Sequence, residues 1–182
     1  MKSEIDAMGW VTSARHVESP NCDARPADAG IALLVIHNIS LPPDEFGGPG
    51  VEQLFTNRLD PNAHPYYAGI HALRVSAHFF IRRDGELIQF VACDQRAWHA
   101  GVSAWRNRER CNDFSLGVEL EGSDATPFTD AQYACLNALI KVLREHYPTL
   151  VEVAGHADIA PDRKTDPGPC FDWSRVRGFQ AA

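Results

Sequence analysis

A chain of 182 residues, 45% hydrophobic and 23% charged, is long enough for one domain with a real core and has the composition of an ordinary globular protein, neither disordered nor fibrous. Seventeen Lys plus Arg against 24 Asp plus Glu leave a net charge of -7, which disfavours a general electrostatic grip on nucleic acid or on an anionic membrane. No stretch approaches ~18 apolar residues, so a membrane-spanning helix is excluded on length.

The opening MKSEIDAMGWVTSARH lacks the continuous apolar run of a signal peptide, so a cytoplasmic location is expected. The first clear element is IALLVIHN, residues 31–38, a continuous aliphatic run expected to be a strand buried on both faces, with His37 at its end. After the Pro/Gly-rich LPPDEFGGPG, the segment VEQLFTNRLD predicts a short helix that begins near Pro49 and stops before Pro61. Residues 59–74 read as loop. VSAHFFIRRDGELIQFVA, residues 75–92, predicts a β-hairpin turning at RDG.

Fourteen of the 17 cations are Arg. Arg106, Arg108 and Arg110 cluster beside Trp105, either as planar forks for carboxylates or as a solvated loop. SLGVELE, residues 115–121, alternates cleanly: Leu116, Val118 and Leu120 face one way, while Ser115, Gly117, Glu119 and Glu121 face the other. Glu119 therefore shares its face with small residues that leave space beside its carboxylate. Thr129 with Gln132 predicts a capping box, and Tyr133, Leu136, Leu139, Ile140 and Leu143 recur at helical spacing up to Pro148. VEVAGH, residues 151–156, predicts a strand ending in His156, and a last short helix is expected from about Asp172 to Gly178.

Strands and helices mixed in this way, with no internal repeat or dividing linker, predict a single α/β domain over residues 1–182 with its core at about 30–178 and a central mixed sheet flanked by helices. Five widely spaced cysteines without a C-x-x-C pair indicate neither a disulfide framework nor a cysteine zinc knuckle.

His37 and His156 each close an apolar strand, where sheet proteins present groups to a crevice. Alone, either reads as a surface or hydrogen-bonded core histidine. Asp166 follows ten residues after His156, stiffened by Pro167 and Pro169 in KTDPGP, and two imidazoles with one carboxylate make a plausible catalytic zinc site. Asp158 is a rival third ligand and Asp162 a weaker one; spacing does not choose between them. A zinc hydrolase also needs a base for water and a cation or dipole for the oxyanion. Glu119 and Lys164 fit those roles.

The ordered motifs LLVIHNISLPPDEFGG, DPNAHPYY, LRVSAHFFIRRDGE, AWHAGVSAW, RERCNDFSLGVELEG, FTDAQY and GHADIAPDRKTDPGPCFDW cover nearly the whole chain. Through them it resembles the zinc-dependent N-acetylmuramoyl-L-alanine amidases, and within them the cytoplasmic type that cleaves 1,6-anhydromuramoyl peptides. The resemblance implies one zinc ion held by His37, His156 and Asp166, in preference to Asp158, with Glu119 and Lys164 as the catalytic pair. It further implies substrate contacts from Asn38, Arg74, Trp98, Arg110 and Arg163, and a bracing role by hydrogen bonds for His71, His78 and His99. The implied partner is a muropeptide, with no nucleic acid, membrane or obligate protein partner, and the implied setting is recycling of wall fragments in a Gram-negative bacterium, with an influence on β-lactamase induction. Cys170 stands after DPGP where a small residue such as Ser is expected, and it is not the cysteine ligand of more distant relatives. A module of this fold that binds peptidoglycan without cutting it is the alternative; the complete set of ligands and catalytic partners argues against it.

Overall fold

The computed structural model describes residues 3–177. Its strands are β1 (Arg15–His16), β2 (Cys22–Ala24), β3 (Leu33–Ile39), β4 (Phe79–Ile81), β5 (Leu87–Gln89), β6 (Gln95–Ala97), β7 (Ala104–Trp105), β8 (Arg108–Glu109), β9 (Ser115–Glu121) and β10 (Glu152–Gly155). Its α-helices are α1 (Gly50–Phe55), α2 (Pro65–Ile70), α3 (Asp130–His146) and α4 (His156–Ile159). Six strands form one sheet in the order β1-β5-β4-β9-β3-β10. Only the β4–β5 hairpin is antiparallel; every other neighbouring pair in that sheet is parallel. The expected α/β domain with a mixed central sheet is the one observed.

Period-two alternation along β3 and β9 divides the core into two faces. Leu34 and Ile36, with Leu116, Val118 and Leu120, pack against Tyr133, Leu136, Leu139, Ile140 and Leu143 of α3. Each fully buried aliphatic side chain there contributes roughly 1.5–3 kcal/mol. Leu33 and Val35 point the other way, into a cluster with Phe114 and Ile159, and Phe80 joins α1 and α2 on that same face through Leu54, Phe55 and Tyr67. His37 and Glu119 have the parity of Leu33 and Val35, so both stand on the face away from α3.

The capping box at α3 is present as expected: Gln132 N–H donates to Thr129 Oγ1 at 3.1 Å and Thr129 N–H donates to Gln132 Oε1 at 3.1 Å. Gln132 Nε2 also donates to the carbonyls of Ile81 (3.2 Å) and Glu121 (3.0 Å), which ties the helix start to β4 and β9. The hairpin turns as expected, with Gly85 at φ 89°.

Elsewhere the boundaries move. The helix expected over 51–60 stops at Phe55, because Asn57 takes φ 59° and lets Arg58 N–H reach Gln53 O at 2.7 Å while Asn57 N–H reaches Leu54 O at 3.1 Å, the closing pair of a Schellman stop. The expected loop 59–74 contains α2, where Pro65 occupies the first helical position and the His64 ring accepts from Tyr66 N–H at 3.1 Å. Strand β10 ends at Gly155, so His156 begins α4 instead of ending the strand. The last expected helix is one 3₁₀ turn, Trp173–Arg175, held by the Asp172 carboxylate on Ser174 N–H, and Gly178 lies outside the described residues.

Candidate metal centre and its cavity

The register of β3 and β9 places His37 directly opposite Glu119, and the parallel pairing of β3 with β10 brings Gly155 beside Ile36, so His156 emerges next to His37. Asp166 is carried back to them by the loop after α4, whose Ala157 N–H donates to the Asp166 carbonyl at 2.9 Å. Asn38 Nδ2 holds the same loop from the other side, donating to Asp124 Oδ1 at 2.7 Å and Pro167 O at 3.1 Å.

Three atoms converge there: His37 Nδ1 and His156 Nδ1 are 2.9 Å apart, and Asp166 Oδ2 is 3.0 Å from each. His156 Nε2 meets the Ala100 carbonyl at 3.2 Å. A carbonyl only accepts, so the proton of the neutral ring lies on Nε2 and Nδ1 faces the cluster bare. A carboxylate oxygen and imidazole nitrogens turned on one another in this way repel unless a cation joins them, and this donor set suits a divalent metal with nitrogen and oxygen ligands. Among the described residues, these three form the group of metal-capable side chains.

Asp158, the rival ligand, is used otherwise: its Oδ2 accepts from Gly155 N–H at 2.7 Å and caps α4. Asp162 is exposed. Burial presses the His37 imidazole down to about 4 against the pull of Asp166. Burial pushes the Asp166 carboxyl up, but the two facing imidazoles outweigh it and hold the group well below the usual carboxylate range.

The two carboxylates of β9 are in opposite circumstances. Glu121 is saturated by donors, accepting from Gly47 N–H (2.5 Å), Arg83 N–H (3.0 Å) and Arg82 Nη1 (3.4 Å). Glu119 is also buried, yet its Oε2 has no hydrogen-bond partner among the described residues. Burial and the nearby Asp166 charge push the Glu119 carboxyl well above its ordinary value, with Lys164 pulling the other way.

A cavity of about 590 Å³ opens over these groups. His37, His156, Asp166, Glu119 and Lys164 line it together with Asn38, Trp98 and Arg163. Arg74 and Arg110 do not. Arg74 is exposed and turns back on the carbonyls of Ala72 (3.2 Å) and Leu73 (3.3 Å). Arg110 pairs with Asp113 at 3.3 Å and borders a neighbouring depression, which shares Arg163 with the main cavity. The other arginines of that cluster meet the protein's own groups too: Arg106 pairs with Glu152 at 2.8 Å and Arg108 lies 3.8 Å from the Phe114 ring centroid.

Sequence reading did not single out Ser40, Tyr66 or Asp124, which also line the cavity, because two lie in loops and Tyr66 in the short helix α2, and neither setting carries a periodicity to place them. The space that Gly117 leaves is filled by His99, whose Cγ would lie 2.5 Å from a Cβ at that position.

Residues 27–169 match the family of N-acetylmuramoyl-L-alanine amidases. The 1,6-anhydro-N-acetylmuramyl-L-alanine amidase AmpD of Citrobacter freundii is 61% identical over 172 residues, spanning 94% of this chain and 92% of that protein. A crystal structure of a selenomethionine AmpD derivative superposes with a TM-score of 0.91 at 60% identity, covering 93% of this chain and 96% of that one. The Escherichia coli amidase AmiD, solved with its substrate anhydro-N-acetylmuramic acid-L-Ala-D-γ-Glu-L-Lys, is more distant, with a TM-score of 0.58 at 28% identity over 97% of this chain and 65% of that one.

Proposed function

Because this chain belongs to the N-acetylmuramoyl-L-alanine amidase family and is a hydrolase of that kind, we propose that it cuts the amide bond between the lactyl group of 1,6-anhydro-N-acetylmuramic acid and L-alanine in muropeptides. One observation carries this reading: a buried carboxylate with a free oxygen, Glu119, stands across one strand pairing from His37 in the His37–His156–Asp166 cluster, within a single cavity. The names of the similar AmpD and AmiD proteins support the substrate class.

His37, His156 and Asp166 would hold one zinc ion per chain. When bound, zinc supplies a Lewis acid that polarises a carbonyl and makes water acidic at neutral pH. Glu119 takes the proton of the attacking water and returns it to the departing alanine amine; a carboxyl raised by burial is suited to both transfers near neutral pH. Lys164, at the cavity wall, holds positive charge beside the carbonyl oxygen as that oxygen becomes anionic. Trp98, Asn38 and Arg163 border the space for sugar and peptide, and Arg74 and Arg110, further out, meet the stem-peptide carboxylates. The setting of this reading is cytoplasmic recycling of wall fragments, with consequences for β-lactamase induction; no helix among the described residues is long and apolar enough to cross a membrane.

The test is incubation of 1,6-anhydromuramoyl tripeptide with zinc-loaded protein, followed by chromatography and mass spectrometry, with His156→Ala alongside. Free tripeptide from the first and not the second supports the amidase. Intact substrate in the presence of bound zinc would overturn the substrate assignment.

A further inference from the structure

We infer that His99 and Ser115 lock His37 in the tautomer whose Nδ1 is a bare electron-pair donor toward the metal centre, an inference that rests on the proposed metal reading above. One chain of contacts fixes the place of each proton. Ser115 Oγ lies 2.6 Å from the Cys111 carbonyl. A carbonyl only accepts, so the single hydroxyl proton of Ser115 is committed to it. His99 Nε2 lies 3.3 Å from the same Oγ and must therefore be the donor there.

A neutral imidazole carries one N–H, so His99 Nδ1 is left as an acceptor. His37 Nε2 meets that atom at 2.9 Å, which places the His37 proton on Nε2 and strips it from Nδ1. Nδ1 is the atom facing His156 and Asp166. The wrong tautomer would turn an N–H toward the cation and abolish ligation.

The neighbouring residue does the same for the second ligand, since the Ala100 carbonyl fixes the proton of His156 on Nε2. A single dipeptide, His99–Ala100, thus sets both imidazoles. Its own position is fixed twice. Asn112 Oδ1 accepts from His99 N–H (3.2 Å) and Ala100 N–H (2.8 Å), and the His99 ring rests on Gly117, where a Cβ would approach it to 2.5 Å. His99 is half-buried at the cavity wall, with both ring nitrogens engaged. His99 and Ser115 are positioning residues, acting on the metal through His37.

The experiment measures zinc affinity by chelator competition for wild type, His99→Leu, His99→Asn and Ser115→Ala, with ¹⁵N NMR of the imidazoles of metal-free wild type. Asn keeps an acceptor near the place of Nδ1, while Leu keeps only bulk. We expect a loss of about 10- to 100-fold in affinity for His99→Leu, a smaller loss for Ser115→Ala, and recovery of most of the affinity in His99→Asn. The NMR spectrum should place the His37 proton on Nε2. Equal losses in Leu and Asn, or a His37 proton on Nδ1 in wild type, would overturn the lock; the second readout holds even if a variant fails to fold. Failure of wild type itself to bind zinc would overturn the metal reading instead.

Discussion

His37 and Glu119 occupy directly opposed positions of the parallel strands β3 and β9, and the Glu119 oxygen left without a hydrogen-bond partner is the one buried side-chain polar atom in that state among the described residues. An orphaned buried carboxylate oxygen costs stability, and it persists where a reacting proton needs a place to go. Replacing it with an isosteric amide, Glu119→Gln, is expected to lower turnover of muropeptide by about 10²- to 10⁴-fold while zinc content stays at one per chain. Turnover and metal analysis on the same preparation check this; turnover within about threefold of wild type would remove Glu119 from the role of base.

Gly117 faces the His99 ring, and an added Cβ would lie 2.5 Å from Cγ and 2.7 Å from Nδ1. Both neighbours are rigid, one a central strand and the other a ring held at both nitrogens. Gly117→Ala is therefore expected to destabilise the fold by about 1–3 kcal/mol through overpacking, at about 2–4 °C of melting temperature per kcal/mol, and to weaken zinc binding by displacing His99. A thermal melt beside a chelator competition separates the two effects. An unchanged melt would mean that the ring yields freely.

How much of this was legible beforehand depends on the kind of signal. Strands β3 and β9 and helix α3 announce themselves because burial imposes periods of two and 3.6 on their residues, and the capping box of Thr129 and Gln132 is a local code. Helix α2 was missed: PYYAGI is short, and its start depends on a histidine serving as cap, a residue outside the usual capping set. Strands β1 and β2 were missed because two or three exposed or half-buried residues carry no pattern. In the site, His37 and His156 were readable as ligand types near strand ends, and Asp166 as a carboxylate in a proline-stiffened loop. The choice between Asp158 and Asp166 was not readable from spacing, because it turns on which carboxylate a helix N-terminus consumes. His99 fell within a family motif, but its partner on β9 and its proton count exist only once the strands are paired.

Three histidines, His37 and His78 buried and His99 half-buried, give the metal-free protein a defined response to acid. His37 is pressed down to about 4, and His78 and His99 well below the ordinary imidazole value, chiefly by burial. Each is more easily protonated in the unfolded chain than in the folded one. Their contribution to stability is therefore complete above pH ~6.5 and is lost as pH falls toward the folded values. His37 alone accounts for about 2–3 kcal/mol by pH ~4.5. Glu119 works in the opposite sense, its raised carboxyl favouring the fold as pH falls, but it is one group against three. Urea midpoints of chelator-treated protein should drop steadily from pH 7 to 4.5, and more steeply in Glu119→Gln. A flat profile would mean that the imidazoles are protonated in the native state.

Asp158 in α4 and Asp166 in the loop that follows stand eight residues apart and are expected to respond to the same substitution in different ways. Asp158 Oδ2 takes Gly155 N–H at 2.7 Å, so Asp158→Ala should cost about 0.5–2 kcal/mol, as loss of a cap does, and leave zinc affinity largely intact. Asp166→Ala removes one of three ligands and leaves two imidazoles with no countercharge, so it should lose the metal on dialysis. A bound ligand stabilises only the state that binds it, by about 2.7 kcal/mol at a hundredfold excess over its dissociation constant. Added zinc should therefore raise the melting temperature of wild type and of Asp158→Ala, and leave that of Asp166→Ala where it was. If zinc stabilised Asp166→Ala and failed to stabilise Asp158→Ala, the third ligand would be Asp158, and the contacts at 3.0 Å from Asp166 to the two histidines would belong to a structural network without a metal.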